Sequence, residues 1–312
     1  MNDVSDTGNG RGGGASRAPE RLGKWLVSGP PLAYLVAFFA LPTLIMVLAS
    51  FRTPGEFGGL APLVGEDGVL DLNFESYARF FTDTIYAEIF LKSFWYALLT
   101  TLLGQTLAYP LALLIARSGR KYRDLLLLLV ILPFWSNFLI RVYAWMIILG
   151  PQAALARGVN GALAAFGVDP VPLLFSSFAV LVCLVYVHLP FMVLPLYANL
   201  EKHDQALLDA AQDLGANGWQ RFWRITFPLS LPGVYAGAAL VFIPALGIFA
   251  IPDILGGPDD SLIGNVIKQQ FLETRDWPFG SVLSIVLTVA AVGLAALAAW
   301  VGRRSGGRAF GA

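Results

Sequence analysis

The sequence predicts an all-α, polytopic membrane protein with six transmembrane helices. Of its 312 residues, 56% are hydrophobic and 13% are charged, which is too apolar for an ordinary soluble protein. Six stretches reach the roughly 20 mostly apolar residues that a helix needs to cross a bilayer. They run approximately over residues 31–51, 93–116, 125–150, 178–200, 234–255 and 281–301. Most of them lack the polar face that helices of a soluble bundle keep.

Basic residues predict which side of the membrane each connection occupies, because lysine and arginine are retained on the cytoplasmic side of short loops. A topology with both termini in the cytoplasm places the largest basic clusters inside. These clusters are Arg117, Arg120, Lys121 and Arg123 in one loop, and Arg303, Arg304 and Arg308 near the carboxyl terminus. The polar loop between the fourth and fifth spans then also faces the cytoplasm.

The chain divides into three predicted regions. Residues 1–24 are predicted to be a disordered cytoplasmic tail, because this stretch is rich in Gly and Ser and has no apolar period. Residues 25–302 form the transmembrane domain, and residues 303–312 form a second cytoplasmic tail.

No catalytic constellation is visible in the sequence. The glycine-rich run at residues 8–14 lacks the Gly-Lys-Ser/Thr ending of a phosphate-binding loop, and no such ending occurs elsewhere. Two histidines and one cysteine, Cys183, form neither a metal cluster nor a nucleophilic triad. We therefore expect no enzyme activity, cofactor, metal or nucleic-acid partner, and any ATP-driven step would need a separate polypeptide.

The loop at residues 201–233 is the most informative segment of the chain. Its first half places apolar residues on one face at helical spacing, namely Leu207, Leu208, Ala211 and Leu214. Gly215 stands where a C-terminal cap would end this helix. An amphipathic helix at a membrane surface contacts either lipid or a protein partner, and Asp209 suits an anionic lipid surface poorly.

This loop resembles the EAA motif of ABC importer permeases. The residues that carry the resemblance are Asp209, Ala210, Ala211, Gly215, Ile225 and Pro228. Asp209 stands where Glu is usual, and Phe227 stands where Leu is usual. In that family the loop is the coupling helix, which docks into a groove on a separate ATPase subunit. The resemblance implies the type I ABC importer permease fold and assigns these six residues to the contact with the ATPase.

Three further segments resemble the first membrane subunit of the spermidine/putrescine class of ABC permeases. They cover residues 132–150, 187–204 and 262–281. This resemblance implies ATP-driven import of polyamines across the bacterial inner membrane. It also implies a second homologous permease, two copies of an ABC ATPase and a periplasmic polyamine-binding protein as partners, besides membrane lipid. The alternatives are import of another small organic solute, or an ion-coupled secondary transporter, which would also have kinked helices.

The fifth span is the first candidate for the wall of the substrate pathway. Pro244, Gly247 and Pro252 interrupt it, and broken helices at membrane depth are tolerated mainly where they line a cavity or are buried in protein. The candidate residues on it are Phe242, Pro244 and Asp253. The alternative is a proline kink that only improves packing.

Charged and aromatic residues supply the other candidates for binding a cation. Trp135, Tyr143 and Trp145 on the third span could present aromatic faces to it, or could belong to the aromatic belt at the lipid interface. Near the outer mouth, the candidate carboxylates for binding substrate are Asp253, Glu273 and Asp276. The alternative is that the carboxylates of this region form a solvated surface for the binding protein, namely Asp259, Asp260, Glu273 and Asp276.

Two ionisable residues lie inside predicted spans. Arg141 on the third span has two possible roles. It is a pathway or gate residue, or it is a structural arginine paired with a carboxylate or with helix-end carbonyls. Charges inside the membrane generally pair, which favours the structural role. His188 on the fourth span has no second histidine or carboxylate beside it, which favours a packed position over a proton relay.

Overall fold

The computed structural model describes residues 28–62 and 72–309, with side chains up to residue 297. Within these residues, six helical segments are long and apolar enough to cross a membrane: Ser28–Ser50, Thr84–Arg117, Phe138–Ala165, Ser177–Leu200, Gly218–Leu246 and Trp277–Leu297. The segment Phe138–Ala165 consists of two helices joined by a short turn. The predicted six-span, all-α class is therefore confirmed. The predicted tail at residues 1–24 lies outside the described residues.

The chain separates into two compact units, residues 1–49 and 50–312. The first contains nearly all of helix α1 (Ser28–Ser50), which includes one π-helical turn at Val36–Ala40. Large apolar side chains of α1, such as Phe38 and Phe39, are exposed. This exposure suits a helix whose surroundings are lipid or another chain.

The second unit holds the remaining helices. They are α2 (Glu75–Thr82), α3 (Thr84–Arg117), α4 (Arg120–Ile131), α5 (Phe138–Leu149), α6 (Ala154–Ala165), α7 (Ser177–Leu200), α8 (Gln205–Asp213), α9 (Gly218–Leu246), α10 (Ala250–Leu255), α11 (Ile263–Leu272) and α12 (Trp277–Ala309). Short polar side chains start several of them, because an N-cap oxygen accepts a hydrogen bond from an otherwise unpaired N–H. Asp83, Asn137, Ser176 and Asp204 act in this way.

Helix α7 is the centre of the second unit and packs most extensively on α3 and α9. Small residues allow the close approach. Ala108 and Ala112 of α3 are fully buried in a cluster with Met192. A Cβ atom added to Gly237 of α9 would lie 2.7 Å from Sδ of Met192. The sequence contains this small-residue pattern, but only the fold shows that α7 fills it.

The third predicted span, residues 125–150, is not a single helix, so this prediction is wrong. Helix α4 ends at Ile131, a 3-10 turn covers Leu132–Trp135, and Ser136 is extended before α5 begins. Asn137 then starts α5, because its side chain accepts from the N–H of Leu139 at 2.8 Å. The residues on both sides of the break are apolar, so hydropathy could not locate it.

The fifth predicted span is wrong at both ends. Helix α9 begins at Gly218, inside the predicted loop, and ends at Leu246. The break falls at residues 247–249, whereas Pro244 lies within α9 and Pro252 within the separate helix α10. Gly264 of α11 packs against this break, where an added Cβ would lie 2.5 Å from the carbonyl oxygen of Gly247.

Candidate functional site

The candidate residues collect at two ends of the second unit. At one, here named the α8 end, the last turns of α3 and α7 meet α8 and the start of α9. At the other, the α10 end, the connection between α10 and α11 meets the start of α7 and the first part of α3. The predicted coupling residues lie at the α8 end, and Asp253 lies at the α10 end.

The loop at the α8 end is held by a specific helix termination. Gly215 has φ +82°, the left-handed conformation that glycine adopts without a steric penalty. Its N–H donates to the carbonyl of Gln212, and the N–H of Ala216 donates to that of Ala211, both at 2.9 Å. These two bonds form a Schellman motif. The predicted cap at Gly215 is confirmed.

The apolar face predicted for α8 is only half covered by protein. Leu208 and Ala211 are half-buried, but Leu207 is exposed and Leu214 is 89% exposed. Asp209 and Ala210 are also exposed. Together with Trp219, which is also exposed, Leu207 and Leu214 leave apolar surface of this loop uncovered within the described chain.

The second half of the loop belongs to α9. Asn217 and Gln220 form a reciprocal capping box at its start, and the π-helical turn Phe222–Thr226 leads into the span without a break. Phe222 packs on Tyr109 of α3 with ring centroids 5.5 Å apart, and the Tyr109 hydroxyl contacts Oγ of Ser230 at 2.8 Å. The loop is therefore mechanically continuous with the fifth span. Ile225 is half-buried and Pro228 is exposed along this segment.

At the α10 end, the predicted pathway carboxylate is already paired. Oδ2 of Asp253 accepts a hydrogen bond from Nζ of Lys268 at 2.8 Å, which raises the pKa of Lys268. Nδ2 of Asn265 donates to the same carboxylate and to the carbonyl of Phe249 at 3.0 Å. A cavity of about 530 Å³ lies beside these groups and is lined by Asp253, Asn265 and Phe175 among others.

The aromatic candidates differ in exposure. Trp145 packs on Tyr186 with ring centroids 5.5 Å apart, and Phe242 packs on Phe94 at the same separation. Trp135 is 77% exposed, and Tyr143 and Pro244 are also exposed. Trp145 shares a hydrophobic cluster with Ile251 and Leu255 of α10. It therefore packs with the helix that carries Asp253.

Asp260 is not part of a solvated surface, contrary to one sequence interpretation, because it is 5% exposed. Its Oδ1 accepts hydrogen bonds from the hydroxyls of Tyr96 at 2.9 Å and Ser177 at 2.5 Å. Its Oδ2 accepts from the N–H of Gly257 at 2.9 Å, and Lys92 lies 4.0 Å away. The carboxylate ties the α10–α11 connection to α3 and α7. No pattern in the sequence distinguishes it from the neighbouring Asp259.

Asp276 and Glu273 both have partners within the chain. Asp276 forms an ion pair with Arg79 at 3.2 Å, and its Oδ1 accepts from the N–H of Phe279 in the first turn of α12. Glu273 lies 4.0 Å from Lys268. Asp276 thus has a structural role at the start of α12.

Arg141 stacks on an aromatic ring instead of pairing with a carboxylate. Its Cζ lies 5.3 Å from the ring centroid of Phe134, and among the described residues no carboxylate forms an ion pair with it. His188 is buried and bonds through Nδ1 to the Leu184 carbonyl at 2.8 Å, in agreement with the packed interpretation.

Comparison with known proteins decides the family. Residues 108–306 match the family described as the binding-protein-dependent transport system inner membrane component. The chain belongs to this family. It is 45% identical over 271 residues to the spermidine/putrescine transport system permease protein PotB of Salmonella typhimurium (strain SL1344), covering 86% of this chain and 90% of the relative. It is 44% identical to PotB of Escherichia coli (strain K12), covering 86% and 94%.

A more distant relative is the inner membrane ABC transporter permease protein YdcU of Escherichia coli (strain K12), 31% identical over 64% of this chain and 66% of the relative. Among solved structures, a bacterial ABC transporter involved in import of the acidic polysaccharide alginate aligns with a TM-score of 0.71. That alignment has 20% identity and covers 93% of this chain and 99% of the other. The fold is that of an ABC importer permease. The chain is therefore an inner-membrane permease subunit of an ABC importer, and the ion-coupled alternative is set aside.

Proposed function

We propose that this permease subunit imports polyamines of the spermidine/putrescine class. The observation that carries the proposal is the identity of 44–45% over 271 residues to permeases named for these solutes. Such identity extends over most of the membrane domain, which contains the residues available to line a pathway. A polyamine carries several ammonium groups, and removing their water requires carboxylates or aromatic faces along the route.

The proposed assembly contains four kinds of protein. This chain pairs with a second homologous permease, two copies of an ABC ATPase bind at the α8 end, and a periplasmic polyamine-binding protein binds at the α10 end. ATP hydrolysis then takes place on the separate ATPase. Both termini and the α8 end face the cytoplasm in this assignment, which the basic residues of the α3–α4 connection support.

The coupling contact is built from the exposed residues of the α8 loop. Leu214 and Trp219 are 89% and 70% exposed, and they would enter an apolar groove of the ATPase while Asp209 contacts its rim. Closure of the ATPase then displaces the start of α9. Because α9 is one helix from Gly218 to Leu246, the displacement reaches Phe242 and Pro244 directly.

Two substitutions test this contact. Gly215→Pro is expected to uncouple transport, because proline fixes φ near −65° and cannot adopt the +82° of this position. Ala211→Trp places a bulky ring on the face of α8 that lies against the rest of the loop. Gly119→Ala is the control, since an added Cβ there meets no atom within 4 Å. Full transport and normal ATPase assembly in both test variants would show that the coupling contact lies elsewhere.

Asp253 is the proposed carboxylate for the cationic substrate. Lys268 presents an ammonium group to it at 2.8 Å, and a polyamine carries the same chemical group. The substrate would exchange with Lys268 at the mouth of the adjoining cavity, so that the carboxylate keeps a positive partner throughout. Such an exchange avoids the cost of an unpaired charge.

The decisive experiment measures ATP hydrolysis by the reconstituted complex in lipid nanodiscs. The binding protein is supplied with spermidine, with putrescine or with an amino acid. Stimulation by polyamines alone is the expected result. Stimulation only by another solute would keep the permease assignment and overturn the polyamine proposal.

A further inference from the structure

A second cavity, of about 530 Å³, lies at the α8 end. Its walls come from the last turns of α3 and α7 and from the first turns of α8 and α9. Polar residues on these walls are Arg117, Glu201, His203, Gln205, Arg221 and Thr226. The volume is in the range of small-molecule sites. The exposed Leu214 and Trp219 do not line the cavity, so it is distinct from the proposed coupling surface.

The charge of the lining is positive. Arg117 and Arg221 contribute two guanidinium groups, and the carboxylate of Glu201 is neutralised by Arg123 at 2.7 Å. Arg221 uses one N–H to bond Oε1 of Gln212 at 2.7 Å, which leaves further donors of its fork. Within the described part of the chain, Arg117 forms no ion pair. The cavity therefore favours an anion.

Two buried polar atoms on the walls have no hydrogen-bond partner among the described residues. They are Nε2 of His203 and Oγ1 of Thr226. Buried polar atoms in proteins are normally hydrogen-bonded. A backbone hydrogen bond with Leu229 raises the pKa of His203, but burial lowers it more. The net pKa lies below that of a free imidazole, so the ring is neutral near pH 7, and one of its nitrogens then accepts a hydrogen bond.

The lining combines an anion-binding half with a hydroxyl-binding half. Two guanidinium groups and the Thr226 hydroxyl suit a phosphate, and a hydroxyl group can pair with the unpartnered Nε2 of His203 as donor or as acceptor. Leu113 and Leu200 also line the cavity, near the ends of two apolar spans. Lipid head groups lie at this depth, and basic pockets between membrane helices bind anionic ones.

We propose that this cavity binds a phosphate bearing hydroxyl groups, supplied by the head group of an anionic phospholipid such as phosphatidylglycerol. Arg117 and Arg221 hold the phosphate, and Thr226 donates to it. A head-group hydroxyl forms a hydrogen bond with Nε2 of His203. The bound lipid joins α3, α7 and α9 beside the coupling loop, whichever solute the transporter carries. Free glycerol 3-phosphate has the same chemistry and is the competing source.

The test titrates lipid onto the intact, delipidated transporter and counts bound lipids by native mass spectrometry. Phosphatidylglycerol is expected to bind at one site per copy of this chain, and phosphatidylcholine is not. Arg117→Gln should weaken phosphatidylglycerol binding about tenfold or more, because it removes a charge-assisted contact. Arg120→Gln is the matched control, since Arg120 is an exposed arginine in the same loop that does not line the cavity.

A second variant changes a residue on the α9 wall of the cavity. Thr226→Val keeps the shape of the side chain and should weaken binding about fivefold; it carries the test if Arg117→Gln fails to assemble. Equal binding by both variants and the Arg120→Gln control would overturn the site. Equal binding of phosphatidylcholine would overturn recognition of an anion. If glycerol 3-phosphate binds as tightly as phosphatidylglycerol does, the lipid assignment is wrong.

Discussion

Replacing Asp260 by asparagine should destabilise the protein far more than an isosteric change normally does. All three of its hydrogen-bonding neighbours are donors: Tyr96 and Ser177 donate to Oδ1, and the Gly257 N–H donates to Oδ2. An asparagine side chain has one acceptor oxygen and one donor NH₂ group. If the NH₂ group faces Gly257, two N–H donors oppose each other; if it faces Tyr96 and Ser177, their hydroxyls must accept, and their own O–H protons lose their acceptor.

The expected cost follows from these contacts. At least one hydrogen bond to a buried carboxylate is lost and its donor is left unsatisfied, which costs about 1–3 kcal/mol. The remaining bonds lose their charge assistance, which roughly halves their strength. We expect a total of ~3 kcal/mol, or a fall in Tm of roughly 5 °C for a chain of this length.

The assay is thermal unfolding of the purified transporter in detergent, with the exposed neighbour as control. Asp259→Asn changes the same functional group, but its side chain is exposed and its backbone carbonyl still accepts from Lys92. Tyr96→Phe removes one donor and should give an intermediate loss. Equal melting temperatures for Asp260→Asn and Asp259→Asn would refute the assigned role.

Lowering the pH should also destabilise the protein through the carboxylate of Asp260. Burial alone raises the pKa of Asp260, but hydrogen bonds from Ser177, Gly257 and Tyr96, with the charge of Lys92, outweigh it and lower the net pKa. The folded-state pKa is then below the unfolded value of about 4. Its contribution to stability is present above that value and lost as the pH falls through the folded pKa. Asp260→Asn should show a weaker loss of stability over this acidic range.

Three further outcomes follow from the packing and charges. Leu214→Asp should weaken ATPase association and leave membrane insertion intact, because Leu214 is 89% exposed. Co-purification of the ATPase measures the association, and an unchanged yield would contradict the docking role. Gly237→Val should destabilise the transporter by about 1–3 kcal/mol through overpacking against Met192, as a lowered Tm reports. Asp253→Asn should raise the KM for polyamine uptake and Lys268→Met should lower it; changes of the same sign in both would sink the exchange model.

Local signals in the sequence were sufficient for much of the fold. Runs of apolar residues located six spans, because each span must bury its own backbone bonds in lipid and so depends little on its neighbours. The end of α8 was also predictable, since Gly215 meets a conformational requirement of the chain at that point. The break near Ser136 was not predicted, because apolar residues continue across it. Of the three residues predicted to interrupt the fifth span, Gly247 lies at the break, whereas Pro244 and Pro252 lie within helices.

The functional contacts were less predictable because they join residues remote in the chain. Asp253 was selected as a candidate, but its partner Lys268 could only be found from the turn between α10 and α11. Asp260 and Asp259 are adjacent and chemically identical, yet only Asp260 meets a tyrosine 164 residues away. The sequence by itself determined the number of membrane spans, the helix cap and the family pattern. Tertiary structure decided which charges are buried, paired or free, since these depend on the groups that folding brings within a few ångströms.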